Sequence, residues 1–479
     1  MRENKMFELL RGLSQQEFKK FGDFVRSPFH NKSHNIIKLY ELLNKKFCSL
    51  QTKNISMEEI STHIYHEKSD DSSKIRSLTS DFAKLIENFL IQCEWEKNEI
   101  FKKTLLLTAL NQRNLAKNFN TTLSETIEAQ AAEFNRDEDY YYNQIFLEVE
   151  SFNYELERST SLSPENFSKI SSNIDLFFII TKLNLLHFMY YHKQNITVED
   201  DYGIWLKNDI IQYIENRKKL IKKEHPVIYM KYLIFMTIVK PESENYFIDL
   251  KNFLIKNIAK MNYDVRAYIF GALTNYCITR CNSGDIRYKL ERFKIYQLME
   301  KEEMFKTDKY INYIDFLNLV FSALDVKKIA IAEEYFSKYK DSVLPELKTD
   351  TLNLLKAQIN YYKKRFDIAI SSLNNISYGH YYFYLRAKML LSRIYYELDD
   401  KEPIEYIIDA AKHYIRRNQK LTTQNAEFYL KYFIYLNKLI KLEPGDIDKI
   451  DDLIIELQNE RTATGKDWLL NKLNELKLS

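Results

Sequence analysis

The amino-acid sequence predicts an all-α protein, a solenoid of helical hairpins with an N-terminal helical cap. Three observations predict it. Residues 350–420 overlay on themselves without a gap at an offset of 35 residues. Glycine and proline are scarce, 8 and 7 in 479 residues, which long helices with short polar turns tolerate and barrels or sandwiches do not. No segment alternates apolar and polar residues convincingly enough to read as a strand.

The chain divides into four stretches. Residues 1–98 form an N-terminal helical domain, 99–240 a region of irregular helical hairpins, 241–442 the repeats, and 443–479 a pair of C-terminal capping helices. A first short helix over 3–11 stops at Gly12. Ser14 and Glu17 then form a capping box, with Leu13 placed to staple onto Phe18. Pro28 ends that helix, because the residue before proline avoids helical angles. Ser33 opens the next, and Ser56 with Glu59 opens MEEISTHIY. After the polar link HEKSDDS, Ile75, Leu78, Phe82, Leu85, Ile86, Phe89 and Leu90 lie on one helical stripe. The pattern stays helical over 99–117, 121–135, 138–158, 164–192, 203–222 and 226–239, with Asn195–Asp201 as a loop and Pro164 at a first-turn position. Two helices fill 243–282, broken near Met261-Asn262. Asn282-Ser283-Gly284-Asp285 is a turn before a helix over 285–303. Asp446 caps a helix after Glu443-Pro444-Gly445, and Trp468, Leu469 and Leu473 dock the last one as an end cap.

Within the repeat, Leu355 falls on Leu390, Ala357 on Ser392, Ile359 on Ile394, Tyr361 on Tyr396 and Leu373 on Ile408. Each copy has two apolar stripes separated by a charged break, Lys363-Lys364-Arg365 or Asp399-Asp400-Lys401. Ala357 and Ser392 are small where two helices approach closely. A period of 33–35 with two helices per unit resembles the tetratricopeptide repeat. YYKKRFDIAI is similar to that family's turn and second-helix opening, with Ala369 as the small packing residue, and a weaker copy lies at 310–345 with Ala332 and Phe336. Lys364 and Asp399 stand where the family usually has glycine, and Tyr381 replaces its closing proline. GLSQQEFKKFGDFVRSPFHNK, YYFYLRAKMLLSRIYYELDD and KDWLLNKLNEL also resemble the two ends of a family of uncharacterised bacterial all-helical proteins, a likeness that brings no known activity. The tetratricopeptide resemblance implies a right-handed superhelix whose first helices line a concave groove. In the 35-residue register that groove carries Gln358, Tyr361 and Tyr362 in one unit and Arg386, Arg393 and Tyr396 in the next. Guanidinium groups bind carboxylates bidentately and tyrosines add contact area, so the implied ligand is a protein or peptide bearing carboxylates.

Composition bounds the alternatives. There are 70 basic and 67 acidic residues, a net +3, which makes no global case for nucleic acid or membrane. Four cysteines (Cys48, Cys93, Cys277, Cys281) are too few for a disulfide framework and fit a reducing compartment. MRENKMFELLRGLSQQEF has no signal-type apolar core, and the longest apolar stretch, VIYMKYLIFMTIV, is interrupted by Lys231, so the expected location is the cytoplasm. The glycines are too scattered for a phosphate-binding loop, and no cofactor is expected. Cys277 and Cys281 lie one helical turn apart but have no further ligand nearby, and His63, His66 and Glu67 stand in the wrong order for a zinc protease. The expectation is a non-catalytic scaffold. An N-terminal helix-turn-helix offering Lys74 and Arg76 to nucleic acid is the first alternative reading, and an unrecognised helical enzyme the second. Two basic clusters, Arg217/Lys218/Lys219/Lys222/Lys223 and Lys412/His413/Arg416/Arg417/Lys420, read as solvated helix ends that complement the helix dipole.

Overall fold

The computed structural model describes residues 4–50, 55–66, 73–158, 164–193, 205–305, 310–377, 379–460 and 464–478, with the backbone alone at 46–50, 191–193 and 424. The polar link after His66, the 195–201 loop and the side chain of Cys48 lie outside the described residues. Among those residues there are 24 α-helices and no strand. One isolated parallel bridge joins Ile311 and Val343.

Two compact units form, one from Met1–Ala132 with Tyr142–Asn173, the other from Glu133–Tyr141 with Ile174–Ser479. In the first lie α1 (Lys5–Arg11), α2 (Gln15–Arg26), α3 (His34–Leu50), α4 (Met57–Tyr65), α5 (Ser73–Lys97), α6 (Glu99–Gln112) and α7 (Ala116–Ala131). The capping box forms as its residues require. The Glu17 N–H donates to Ser14 Oγ at 3.2 Å, and the Ser14 N–H donates to Glu17 Oε2 at 2.8 Å. Leu13 and Phe18 both enter the core that Phe21, Val25, Leu39, Tyr40, Phe82 and Ile86 complete. Gly22 lets α2 approach the Tyr40 ring, since a Cβ there would meet Cζ at 2.5 Å. The break after α6 comes at Arg113–Leu115, earlier than the apolar pattern suggests. Asn114 takes a left-handed φ of 57°, which asparagine accepts better than most residues, and α7 starts at once.

Helices α8 (Glu138–Arg158) and α9 (Pro164–Lys193) belong in part to each unit. The second unit then runs through α10 (Lys207–Asn216), α11 (Lys218–Glu224), α12 (Pro226–Val239), α13 (Glu244–Asn257), α14 (Tyr263–Asn282) and α15 (Arg287–Lys301). It continues with α16 (Tyr313–Asp325), α17 (Ile329–Tyr339), α18 (Pro345–Tyr362), α19 (Phe366–Asn374), α20 (Tyr381–Glu397) and α21 (Lys401–Arg417). It closes with α22 (Thr423–Leu439), α23 (Ile447–Asn459) and α24 (Lys466–Leu478). The helix expected over 203–222 breaks at Arg217, whose guanidinium folds back over the Tyr213 ring at 4.3 Å. Helix α12 is apolar nearly all round and is buried nearly all round. No described helix is long and apolar enough to cross a membrane.

From α12 to α21 consecutive helices pack in pairs: α12 with α13, α14 with α15, α16 with α17, α18 with α19, α20 with α21. The first helix also packs on the first helix of the next pair for α12 on α14, α16 on α18 and α18 on α20. Ala357 and Ser392 are fully buried on first helices, and Ala332 and Ala369 on second helices.

The turns inside the last three pairs share one geometry. Lys327, Lys364 and Asp399 have φ of 59°, 56° and 57°. In each, the next N–H reaches back five residues, from Lys328 to Ala323 O, Arg365 to Asn360 O and Asp400 to Tyr395 O, all at 2.9 Å. This is the hydrogen bonding of a helix end that normally takes glycine. A lysine held there costs about 1 kcal/mol, part of which glycine gives back as unfolded-chain entropy. Lys364→Gly is therefore expected to stabilise by about 0.5–1 kcal/mol and Lys364→Val to destabilise. Chemical denaturation of the two variants checks this, and a loss of stability in the glycine variant would sink it.

At the C-terminal end Leu469 and Leu473 are buried, as an end cap requires. Lys466 is buried too, its Nζ donating to Gln458 O at 2.7 Å and Glu460 O at 3.0 Å, the open carbonyls at the end of α23. Asp446 precedes α23 but makes no side-chain cap bond to it. Its carboxylate instead accepts from the Glu443 N–H at 3.3 Å and pairs with Lys449.

A candidate anion-binding site on the paired helices

Arg386 and Arg393 lie on α20, seven residues and so two turns apart, which puts them on one face. Arg386 folds back one turn, so its guanidinium carbon stands 4.8 Å from the Tyr382 ring centre and 5.9 Å from that of Phe321 on α16. Arg393 stands 5.6 Å from the Tyr432 ring of α22 and 5.4 Å from the Trp468 ring of α24. Both residues are partly buried by surface, and their charged groups are enclosed by protein. The Nε of each is sealed from solvent and has no hydrogen-bond partner.

The carboxylates around them are engaged elsewhere. Asp325 pairs with Arg292 and accepts from the Tyr362 hydroxyl at 3.3 Å. Glu397 pairs with Lys472 at 2.8 Å and accepts from the Tyr361 hydroxyl at 3.3 Å. Asp467 pairs with Lys289 at 2.8 Å. Among the described residues, neither Arg386 nor Arg393 has a carboxylate within ion-pair distance. Burial opposes the charge of Arg386, but the phenols of Tyr382 and Tyr429 favour it, and its pKa lies above the ordinary value. Burial likewise opposes Arg393, and Tyr432, Tyr361 and Tyr362 outweigh it. Both guanidiniums therefore stay charged. A buried charge without a counter-ion costs several kcal/mol, of which a ring face offsets about 0.5–2.

Of the residues selected in the sequence, Tyr361, Tyr362, Arg393 and Tyr396 come together. The Trp468 indole N–H donates to the Tyr361 hydroxyl at 3.1 Å and its ring stands edge-on to Tyr396 at 5.3 Å. Burial pushes the Tyr361 phenol up to about 12 and raises that of Tyr362. Arg386 takes the far end of the same face. Gln358, one turn before Tyr361, is half-buried and makes no hydrogen bond among the described residues. Asp325, Tyr382, Tyr429, Tyr432 and Trp468 were not selected. Tyr382 was legible, because i and i+4 share a helix face. Trp468 was not, since nothing in the sequence pairs it with a residue 107 positions away.

A second buried polar cluster lies on α12. Lys231 Nζ donates to Asn184 Oδ1 at 2.5 Å and stands 3.8 Å from Glu138 Oε2, and Asn184 Nδ2 donates to Glu138 Oε1. Burial lowers the Lys231 pKa. These groups satisfy one another, so the cluster ties segment 133–141 to α9 and α12. Close by, burial first and Lys231 second lower His187 to about 4, against an ordinary value near 6.5. The unfolded chain then takes up a proton that the folded chain refuses. Stability is full above pH 6.5 and falls as the pH drops towards 4, by on the order of 2 kcal/mol with allowance for partial exposure. His187→Gln should flatten that loss in a series of melts from pH 7 to pH 4. An unchanged pH profile would refute the assignment.

Cys277 and Cys281 are buried free thiols, pushed up by burial to about 12 and about 11. No group of three metal-ligating side chains occurs among the described residues. Lys74 and Arg76 are exposed at the start of α5. In the first basic cluster Lys218 pairs with Asp249 at 3.1 Å and Lys222 lies over Tyr229, while Arg416 and Arg417 occupy the last turn of α21. Among the described residues the chain is all-helical, with paired helices in its second unit. No protein-family model, curated protein or solved structure matches it.

Proposed function

We propose that this chain is a non-catalytic scaffold, a tetratricopeptide-like right-handed superhelix that holds an acidic protein or peptide partner along its first helices. The observation that carries the reading is the pair Arg386 and Arg393, two guanidiniums with aromatic faces and no counter-ion of their own. Further support comes from the recurring left-handed turn at Lys327, Lys364 and Asp399, from the buried alanines at 332 and 369, and from the stacking of α16, α18 and α20. Repeat arrays with this packing use the face of their first helices as an extended binding surface. The free described thiols fit a cytoplasmic location.

The test is affinity capture from the source cells, with the tagged protein compared with an Arg386→Glu/Arg393→Glu variant, each sample split into a nuclease-treated and an untreated half. A partner retained by the wild type after nuclease and lost by a folded variant supports the scaffold. Unchanged capture by the variant overturns it. Partners that vanish with nuclease would shift the case to the N-terminal helices.

A further inference from the structure

We propose that α9 carries a docking face for a second copy of this chain, whose own α9 packs on it antiparallel through Ile174, Phe178, Thr181 and Leu185. All four residues lie on the part of α9 that belongs to the second unit. The inference is independent of the scaffold reading.

The face is defined by what α9 leaves outside. Leu176, Ile179, Ile180, Leu183 and Leu186 enter the core of the second unit and account for one side of the helix. A helix held by a core on one side ordinarily turns a polar side to water. The outer side of α9 is apolar instead. Ile174 is 48 % exposed, Phe178 39 % and Leu185 47 %, and Thr181 is exposed between them. Phe188, 62 % exposed, continues the row. The steps from 174 to 188 are 4, 3, 4 and 3 residues, the seam spacing of a coiled coil. That spacing lays the row along about 20 Å of one helix face. The row cannot turn inward, because the opposite side is filled by the core and Asn184 on the flank is held by Lys231 and Glu138.

Two features commit this face to a second copy. First, the row complements itself when two α9 helices cross antiparallel about a two-fold axis between Phe178 and Thr181. Ile174 of one chain then faces Leu185 of the other, and Phe178 faces Thr181, so the largest of the four side chains meets the smallest. A parallel pairing would set Phe178 against Phe178 and Thr181 against Thr181. Second, the same register makes the charges complementary. Asp175 and Lys182 both flank the seam on one side, and in antiparallel pairing Asp175 of each chain faces Lys182 of the other. Among the described residues neither makes an ion pair within its own chain, and Lys182 Nζ lies along the seam, 5.7 Å from the Phe178 ring centre. The row offers on the order of 400–500 Å² of apolar surface per chain, from half-exposed side chains of about 150–250 Å² each. A standard interface takes about 800 Å² per partner, so the dimer is expected to be reversible, forming at micromolar concentration.

The experiment is sedimentation velocity of the full chain from about 0.5 to about 50 μM. The expected result is a shift from monomer to dimer across that range. Phe178→Ser/Leu185→Ser should abolish the dimer and leave the melting of the dilute protein unchanged, since both side chains are exposed. Asp175→Lys and Lys182→Asp each set like charges against one another at both ends of the seam and should weaken the dimer about tenfold. The double exchange Asp175→Lys/Lys182→Asp should restore it, which only the antiparallel register predicts. These exposed charge variants keep the test open if the serine variant fails to fold. A monomer at every concentration, or a dimer indifferent to the serine variant, overturns the docking face. A double exchange that restores nothing overturns the antiparallel pairing and the proposal with it. A dilute monomer that melts lower as the serine variant shows that the chain covers the row itself, which also overturns the proposal.

Discussion

Gly465→Ala lowers the stability of the second unit by about 2–4 kcal/mol, from the combination of backbone strain and overpacking. Gly465 has φ of 69°, a region that an alanine enters only at a cost of about 1–2 kcal/mol. The new Cβ would also lie 2.5 Å from Arg393 Nη2 and 3.0 Å from Tyr432 Cδ2. The guanidinium can swing aside. The tyrosine cannot do so freely, since it is fully buried and its hydroxyl meets Ser392 Oγ at 3.1 Å. The same substitution pushes Arg393 off its place between Tyr432 and Trp468. Chemical denaturation measures the loss, and a change below about 0.5 kcal/mol would mean that the approach is looser than drawn.

The second large effect falls in the first unit. Gly22→Ala should destabilise it by about 2 kcal/mol, after the gain of about 1 that alanine brings to a helix interior. A Cβ at Gly22 would overlap the Tyr40 hydroxyl and stand 2.5 Å from Cζ. Tyr40 has nowhere to retreat. It stacks on Phe18 at 5.1 Å, meets Phe21 edge-on at 6.1 Å and lies under the Arg26 guanidinium at 5.1 Å. Gly271→Ala is the matched control, a helical glycine with nothing within 4 Å of its would-be Cβ. It should stabilise by about 1 kcal/mol. Opposite signs for the two variants confirm the argument, and equal signs refute it.

Much of this fold was legible because its signals are local. MEEISTHIY, 138–158 and the apolar helix at 226–239 stand where their caps, periodicity and prolines put them. The repeat register anticipated which residues take the glycine conformation at Lys364 and Asp399, even though neither is glycine. Boundaries without a glycine or proline were less legible. The break at Arg217 follows from a backbone turn that no residue type announces, and the one at Asn114 turned on a weaker signal. Of the site, the half on α18 and α20 could be read, because helical spacing puts Arg386 and Arg393 on one face of α20 and the 35-residue register of the repeat resemblance adds Tyr361 and Tyr396. The other half could not. Tyr432 and Trp468 arrive through packing between helices distant in sequence, and Asp325 is recognisable as spent only once its pairing with Arg292 is seen.

A run of hairpins that touch only their neighbours can lose its members one at a time, fraying from an end while the middle stands. Helix α24 interrupts that independence. Through Asp467, Trp468 and Lys472 it grips Lys289 on α15, Tyr361 on α18 and Glu397 on α20, crossing well over one hundred residues of chain. These ties act as a drawstring: the hairpins that hold α15, α18 and α20 cannot open without loosening the last helix. Unfolding of that stretch should thus be a single sharp event whose denaturant dependence reports the whole span, and trimming the final fourteen residues should turn it into a gradual one.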